Sequence, residues 1–155
     1  QVRRYKPVKA RYEAGEIHRV MGQYMTLGRN GVPVGECFKA WRIQKLEDFI
    51  LKILPEWCDT MRVNIQHVTF RETTSIWGSC RSRTQRITIN TNLAKYPEEC
   101  AEYVLIHELN HIHHPDHSRA FYADMDRYMM DWRHWDKVLK TMDVKPILKQ
   151  ESGTR

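Results

Sequence analysis

Apolar residues recur at spacings of three and four along three stretches of the chain, which is the period of an amphipathic helix. The first stretch covers residues 37–54, and Pro55 is expected to end the helix. The second begins at Pro97, which two glutamates follow in the manner of a first helical turn. Its apolar stripe consists of Ala101, Leu105, Leu109 and Ile112. The third follows a capping serine, Ser118, and carries Phe121, Met125, Tyr128, Met129, Trp132, Trp135 and Leu139.

Alternation of apolar and polar residues, the period of a strand, is confined to short segments. Asn30-Gly31 favours a primed turn and predicts a hairpin between residues 23–29 and 32–34, with Pro33 keeping the return strand at an edge. Residues 63–72 alternate with one slip at Gln66-His67, which predicts a bulged strand. Residues 77–80 are typical of a turn, and Arg86–Asn90 alternates as a short strand.

Length and composition predict one domain over residues 1–155. A chain of 155 residues with 41% hydrophobic content can bury one sizeable core. The ends, residues 1–12 and 145–155, carry no periodic pattern and are expected to be flexible. The chain opens with Gln1 rather than methionine, so upstream sequence is expected to be missing.

No stretch approaches the ~18 to 20 consecutive apolar residues that a membrane span requires, and the start lacks a signal pattern. We therefore expect a cytoplasmic protein with no membrane partner. The four cysteines are widely spread, without C-x-x-C spacing, which indicates reduced thiols rather than a disulfide framework or a zinc knuckle. The sequence gives no indication of oligomeric state.

A net charge of +6 makes an anionic partner plausible, and the cations are clustered. Residues 3–11 contain five of them, which suits either a solvated tail or a contact with DNA. Arg81, Arg83 and Arg86 form a second cluster before the second predicted helix. Arginine forks match phosphate oxygens, so these three residues are candidates for substrate binding.

The second predicted helix carries a His-Glu-x-x-His sequence. His107 and His111 are four residues apart, so both rings lie on one helix face where one ion can reach them. Glu108 is then the candidate general base for a metal-bound water. Pro115 is expected to stop the helix and let the chain return His117 to the ion. Three histidines with one open position describe a catalytic Zn²⁺ site, which also accepts Mn, Co or Ni.

Other histidines are interpreted as bystanders: His113 and His114, which face away from the ligand pair or lie in the turn, and His67 on a surface strand.

Several motifs, in this order, resemble the YgjP-like metallopeptidase-domain family of metal-dependent hydrolases over roughly residues 63–140. They are Phe70-Arg71-Glu72, Trp77-Gly78-Ser79-Cys80, Ile87-Thr88-Ile89-Asn90, His107-Glu108-Leu109-Asn110-His111 and Pro115-Asp116-His117-Ser118. The resemblance implies a zincin-like α+β fold, in which a small antiparallel or mixed sheet packs on the active-site helix alongside further helices. It also implies metal ligands at His107, His111 and His117 and a catalytic acid/base at Glu108.

The chain departs from the family pattern at two positions. Ile76 replaces the arginine usual before Trp-Gly-Ser-Cys, and Met130 replaces a usual proline. The first departure affects a position that could contact substrate, so no substrate-binding role is transferred there.

Three functions are consistent with these residues. The first is peptide hydrolysis, with Ile87 to Asn90 as a strand along the cleft that pairs with an extended peptide. The second is a metal-dependent pyrophosphatase reaction that hydrolyses a nucleoside triphosphate between its phosphates, with the phosphates held by the arginine cluster. The third is DNA association, either as a protease similar to SprT-like proteins or as a non-catalytic binding module. Salt dependence of binding would identify phosphate contacts.

Overall fold

The computed structural model describes residues 12–148. Within these residues the chain forms an α+β fold with two small sheets and four α-helices, which confirms the predicted class. In chain order the elements are β1 (Ile17–Val20), β2 (Gln23–Thr26), α1 (Glu36–Met61), β3 (His67–Arg71), β4 (Gly78–Arg81), β5 (Arg86–Asn90), a 3₁₀ helix (Thr91–Lys95), α2 (Glu98–His113), α3 (Arg119–Tyr128) and α4 (Trp132–Thr141).

The amino-terminal hairpin forms one turn earlier than predicted. β1 pairs with β2 in antiparallel fashion, and the connecting residues Met21 and Gly22 have φ of 49° and 86°. These positive values are those of a primed hairpin turn. Asn30-Gly31 does make a tight turn, with φ of 53° and 81°, but residues 32–34 form no strand. The strand predicted at Gln23–Thr26 is confirmed. Its predicted partner, residues 32–34, is wrong, because Ile17–Val20 pairs with this strand instead.

β5 is the central strand of the three-stranded sheet. It pairs in parallel with β3 along one side and antiparallel with β4 along the other. The strand predicted at Arg86–Asn90 is therefore confirmed. Its predicted pairing with a peptide is wrong, since both of its edges are already occupied.

Two other strand predictions also need correction. β3 begins at His67, and residues 63–66 precede it outside the strand, so the slip in the pattern marks a strand start and not a bulge. Residues 78–80, predicted as part of a turn, belong to β4. A short polar segment of this kind carries no alternation signal. It becomes a strand only because β5 supplies its hydrogen bonds.

The main core lies between the three-stranded sheet and α2. Ile87 and Ile89 of β5 are fully buried, and Thr88 between them is half-buried, as the strand period requires. α2 is buried on most of its circumference, which makes it a central helix rather than an amphipathic surface helix. Its buried apolar residues are Cys100, Ala101, Tyr103, Val104, Leu105, Ile106 and Leu109. Helices α1, α3 and α4 all contact α2.

Helix α1 continues through Pro55 to Met61, so the predicted end of this helix is wrong. Proline removes only one backbone donor, and Met61 beyond it is buried in the main core. Arg62 ends the helix in the left-handed conformation. The Nε2 atom of His113 lies 2.7 Å from the Met61 carbonyl oxygen, which ties the end of α1 to the end of α2.

The boundaries of α2 and α3 follow local signals. Pro97 caps α2, Glu98 and Glu99 occupy its first turn, and the helix ends just before Pro115 as predicted. Ser118 caps α3, because its Oγ accepts a hydrogen bond from the Phe121 amide. The third predicted helix is interrupted after residue 128 and resumes as α4.

Predictions for the chain ends, the cysteines and a membrane helix can also be compared with residues 12–148. Of the tail predicted to lack pattern, residues 145–148 are described, and Ile147 forms an antiparallel bridge with Ile17. Residues 1–11, with the basic cluster at 3–11, and residues 149–155 lie outside the described part of the chain. Cys37, Cys58, Cys80 and Cys100 are free thiols. None of the helices in residues 12–148 is both long and apolar enough to cross a bilayer.

Replacing Pro55 with alanine should stabilise the protein. Pro55 is exposed within α1, and alanine would restore the backbone donor that the Leu51 carbonyl lacks. We expect the free energy of unfolding in urea to rise by about 1 to 2 kcal/mol, after the entropic advantage of proline in the unfolded chain is subtracted. Glu56→Ala is the control and should change it little. A loss of stability in Pro55→Ala would contradict the proposed cost of this proline.

Candidate metal centre

Three histidine rings converge at the carboxyl end of α2. The Nε2 atom of His117 lies 3.1 Å from that of His111 and 3.3 Å from that of His107. One nitrogen from each ring lies within 4.8 Å of the other two. Nitrogens bound to one tetrahedral zinc at ~2.0 to 2.1 Å are ~3.3 to 3.4 Å apart. The histidine cluster, defined as His107, His111 and His117, therefore has spacings that suit one shared ion.

Two chain features bring His117 back to α2. The helix ends before Pro115, and Ser118 then starts α3 by capping the Phe121 amide. Phe121 is fully buried and its ring centroid lies 4.9, 4.7 and 5.0 Å from those of His107, His111 and His117. This phenyl ring forms a common floor that limits how far each imidazole can rotate.

Hydrogen bonds fix the orientation of His111. Its Nδ1 lies 3.0 Å from the His114 carbonyl oxygen, so an Nδ1–H donor there leaves the Nε2 lone pair for a metal ion. The Nε2 of His114 lies 2.7 Å from Asp124 Oδ2, which ties the connecting loop to α3. Neither His113 nor His114 joins the histidine cluster, and both have structural contacts instead.

Asn110 is a functional candidate that the periodic pattern failed to identify. It is fully buried, and its Nδ2 donates to the Phe121 carbonyl at 3.0 Å. This bond joins α2 to α3 beside the histidine cluster. A polar residue in an otherwise buried helix was the available signal, since buried amides normally have hydrogen-bond partners.

The side chain of Glu108 lies in an apolar environment. It is 7% exposed, and burial raises the pKa of its carboxyl to about 7. The backbone of β4 lies against it, because a Cβ added at Gly78 would be 3.1 Å from Glu108 Cγ and 2.8 Å from Val104 Cγ1. Glycine at this position therefore permits close contact between the edge strand and α2.

Protonation of His107 and His111 is also disfavoured by their surroundings. Burial, and then the neighbouring His111 and His117 rings, lower the pKa of His107 to about 4. Burial likewise lowers the pKa of His111. These two rings are held neutral near pH 7, which is the form that binds a metal ion.

A cavity of about 220 Å³ opens beside Glu108 and His107. Its wall includes Tyr103, whose hydroxyl donates to Asp136 Oδ1 at 3.1 Å. Burial, followed by the Asp136 carboxylate, raises the pKa of Tyr103, so the phenol keeps its proton. The other lining residues are Ile76, Trp77, Gly78, Val104 and Asp136 itself.

The arginine cluster lies elsewhere. Arg81 and Arg86 face each other at the end of the β4–β5 pair opposite Gly78, and Arg83 is in the connecting turn. All three side chains are exposed, and none lines the cavity beside Glu108. The structure does not bring them together with the histidine cluster.

Comparison with known proteins agrees with this geometry. The sequence matches the YgjP-like metallopeptidase domain over residues 33–142. The chain belongs to this family. No curated protein matches its sequence.

Two solved structures have a similar fold. The metallopeptidase zymogen of Pyrococcus abyssi abylysin gives a TM-score of 0.52 at 20% identity, covering 63% of this chain and 94% of that one. The zymogen of Methanocaldococcus jannaschii jannalysin gives 0.50 at 18% identity, covering 63% and 90%. At such identities the likeness concerns the fold, which is zincin-like. Family and fold together support a metal-dependent hydrolase.

Removing His117 should abolish tight metal binding while leaving the fold intact. Its side chain is exposed and lies at the outer side of the Phe121 and Tyr122 rings, so His117→Ala should cost little stability. After dialysis against zinc and then buffer, we expect zinc to fall from about one ion per chain to near none, measured by elemental analysis. His67→Ala, at an exposed site on β3, should retain its zinc. Full zinc content in His117→Ala would disprove the ligand assignment.

Proposed function

We propose that this protein is a zinc-dependent metallopeptidase in which His107, His111 and His117 hold the ion and Glu108 is the general base. The observation that carries the proposal is the juxtaposition of three converging imidazoles with one buried carboxylate. The family and the fold agree with this function. Neutral imidazole is a preferred ligand of zinc, although manganese, cobalt or nickel suits the same donor set.

A divalent ion in this cluster would supply Lewis acid chemistry, lowering the pKa of a nearby water and polarising the scissile carbonyl. Glu108 takes a proton from the attacking water while the water oxygen forms a bond to the carbonyl carbon. The carboxyl then gives that proton to the amine nitrogen as the carbon–nitrogen bond breaks. Burial suits Glu108 to this exchange, because a pKa near 7 lets the group both accept and return a proton.

Edge strand β4 is the best-placed element to bind the substrate backbone. In the described part of the chain, no strand pairs with the side of β4 that faces away from β5. Gly78 at its start lines the cavity beside Glu108. An extended peptide could add to this edge through main-chain hydrogen bonds and present a carbonyl to the site.

Within residues 12–148, the arginine cluster that motivated a nucleotide substrate lies away from the cavity beside Glu108. The nucleotide and DNA hypotheses both depended on basic clusters, and the exposed arginines of the β4–β5 hairpin do not line the cavity. The cluster at residues 3–11 lies outside the described residues. Peptide hydrolysis is therefore the activity that we propose to test.

Changing Glu108 to glutamine should abolish peptide cleavage without releasing the metal. Glutamine has nearly the same shape but cannot accept the proton, so we expect turnover of a casein-derived peptide mixture to fall at least about 100-fold. Elemental analysis should show unchanged zinc. Cleavage products are measured by mass spectrometry after equal incubation.

Glu102→Gln is a matched control on the same helix. Glu102 accepts a hydrogen bond from Trp57 of α1, and it does not line the cavity beside Glu108. It should retain activity close to that of the parent protein. Cleavage that persists in Glu108→Gln would disprove the assigned role of this carboxylate.

A further inference from the structure

A second, basic cavity lies away from the histidine cluster. It has a volume of about 130 Å³, and we call it the basic pocket. Its lining consists of Tyr12, Lys39, Arg42, Ile43, Glu72, Thr91, Asn92 and Lys95. Three of these side chains are cations and only one is an acid. Such an excess of like charge in a partly buried space is unfavourable unless an anion enters it.

Arg42 is the most deeply buried of the three cations. It is 5% exposed, and its guanidinium lies 4.8 Å above the Phe38 ring. One nitrogen donates to the Arg19 carbonyl at 3.1 Å. Among residues 12–148, no carboxylate forms an ion pair with Arg42. Burial lowers the pKa of Arg42, and a hydrogen bond with the Tyr12 phenol opposes this shift only in part.

Lys95 also lies in the positive field of Arg42, which the Glu72 carboxylate offsets in part. Burial, and then the charge of Arg42, lower the pKa of its ammonium group. The one acid, Glu72, lies 3.9 Å from Lys39, and both of these side chains are substantially exposed. An exposed pair at this distance is weak. Outside residues 12–148, the sequence contains one acidic side chain, Glu151.

A third cavity shares lining residues with both the basic pocket and the cavity beside Glu108. A polar cavity of about 450 Å³ shares Glu72, Asn92 and Lys95 with the basic pocket. At its other side it shares Ile76 and Trp77 with the cavity beside Glu108. The polar cavity therefore borders both the basic pocket and the cavity beside Glu108 and His107.

We propose that the basic pocket is a specificity site that binds a carboxylate of the peptide substrate, from an acidic side chain or a chain terminus. The inference rests on the proposed peptidase function and adds the substrate class. The pocket's small volume suits a carboxylate better than a polyphosphate chain. Glu72 at the rim also opposes groups that carry several negative charges.

Lysine variants provide the test, because replacing buried Arg42 risks unfolding the protein. Lys95→Met removes one cation from the pocket and keeps the length of the side chain. Lys52→Met makes the same change at an exposed position of α1 and is the matched control. A mixture of peptides from a digested proteome is cleaved by each zinc-loaded protein, and the products are sequenced by mass spectrometry.

We expect the parent protein and Lys52→Met to favour aspartate, glutamate or a terminal carboxylate at one fixed distance from the cut. Lys95→Met should lower that preference at least about tenfold, since a charge-assisted hydrogen bond is lost. An unchanged preference in Lys95→Met, or no acidic preference in the parent, would overturn the proposal while leaving the peptidase function intact.

A binding measurement keeps the two proposals separable. Nuclear magnetic resonance of zinc-loaded Glu108→Gln, titrated with N-acetylglutamate, should shift the amide signals of Thr91, Asn92 and Lys95, and Lys95→Met should weaken this response. The same shifts without cleavage by any protein would support the carboxylate site and refute the peptidase function. Inorganic phosphate that saturates these signals at lower concentration than N-acetylglutamate would overturn the carboxylate assignment.

Discussion

Convergence of three imidazoles on one point is the constraint from which the rest of the site follows. Two rings come from one turn of α2, and the third returns because the chain stops at Pro115 and restarts at Ser118. Phe121 packs against all three rings, so the start of α3 is both the return path and the floor of the site. The Asn110 bond to the Phe121 backbone holds that floor against α2. Rigid support of this kind is what a metal site requires of its surroundings.

Burial disfavours the charged form of side chains both at the metal centre and in the basic pocket. At the metal centre it keeps two histidines neutral and lets Glu108 hold a proton near neutral pH. In the basic pocket it lowers the pKa of Arg42, with which no carboxylate among residues 12–148 forms an ion pair. A ligand that brings a carbonyl to the metal centre and a negative charge to the basic pocket would satisfy both environments. Chemistry and selectivity would then reside in separate cavities.

Local signals allowed the convergence of the three histidines to be predicted from the sequence. The spacing of His107 and His111, the stop at Pro115 and the cap at Ser118 each depend on neighbouring residues alone. β4 could not be predicted in this way, because its polar sequence becomes a strand only beside β5. Periodic patterns could not predict the basic pocket either, because its charged residues come from α1, from Glu72 after β3 and from the 3₁₀ helix, which are distant in sequence. The end of α1 predicted at Pro55 is wrong, because the burial of Met61 farther along the helix outweighs the loss of one backbone N–H donor.

Zinc K-edge absorption spectroscopy of the zinc-loaded protein tests the central claim most directly. The account predicts three imidazole nitrogens at ~2.0 to 2.1 Å from zinc, with one oxygen completing the shell. In His111→Ala this pattern of three imidazole nitrogens should be lost. A shell containing sulfur at ~2.3 Å, or fewer than three imidazoles in the parent protein, would contradict the proposed centre.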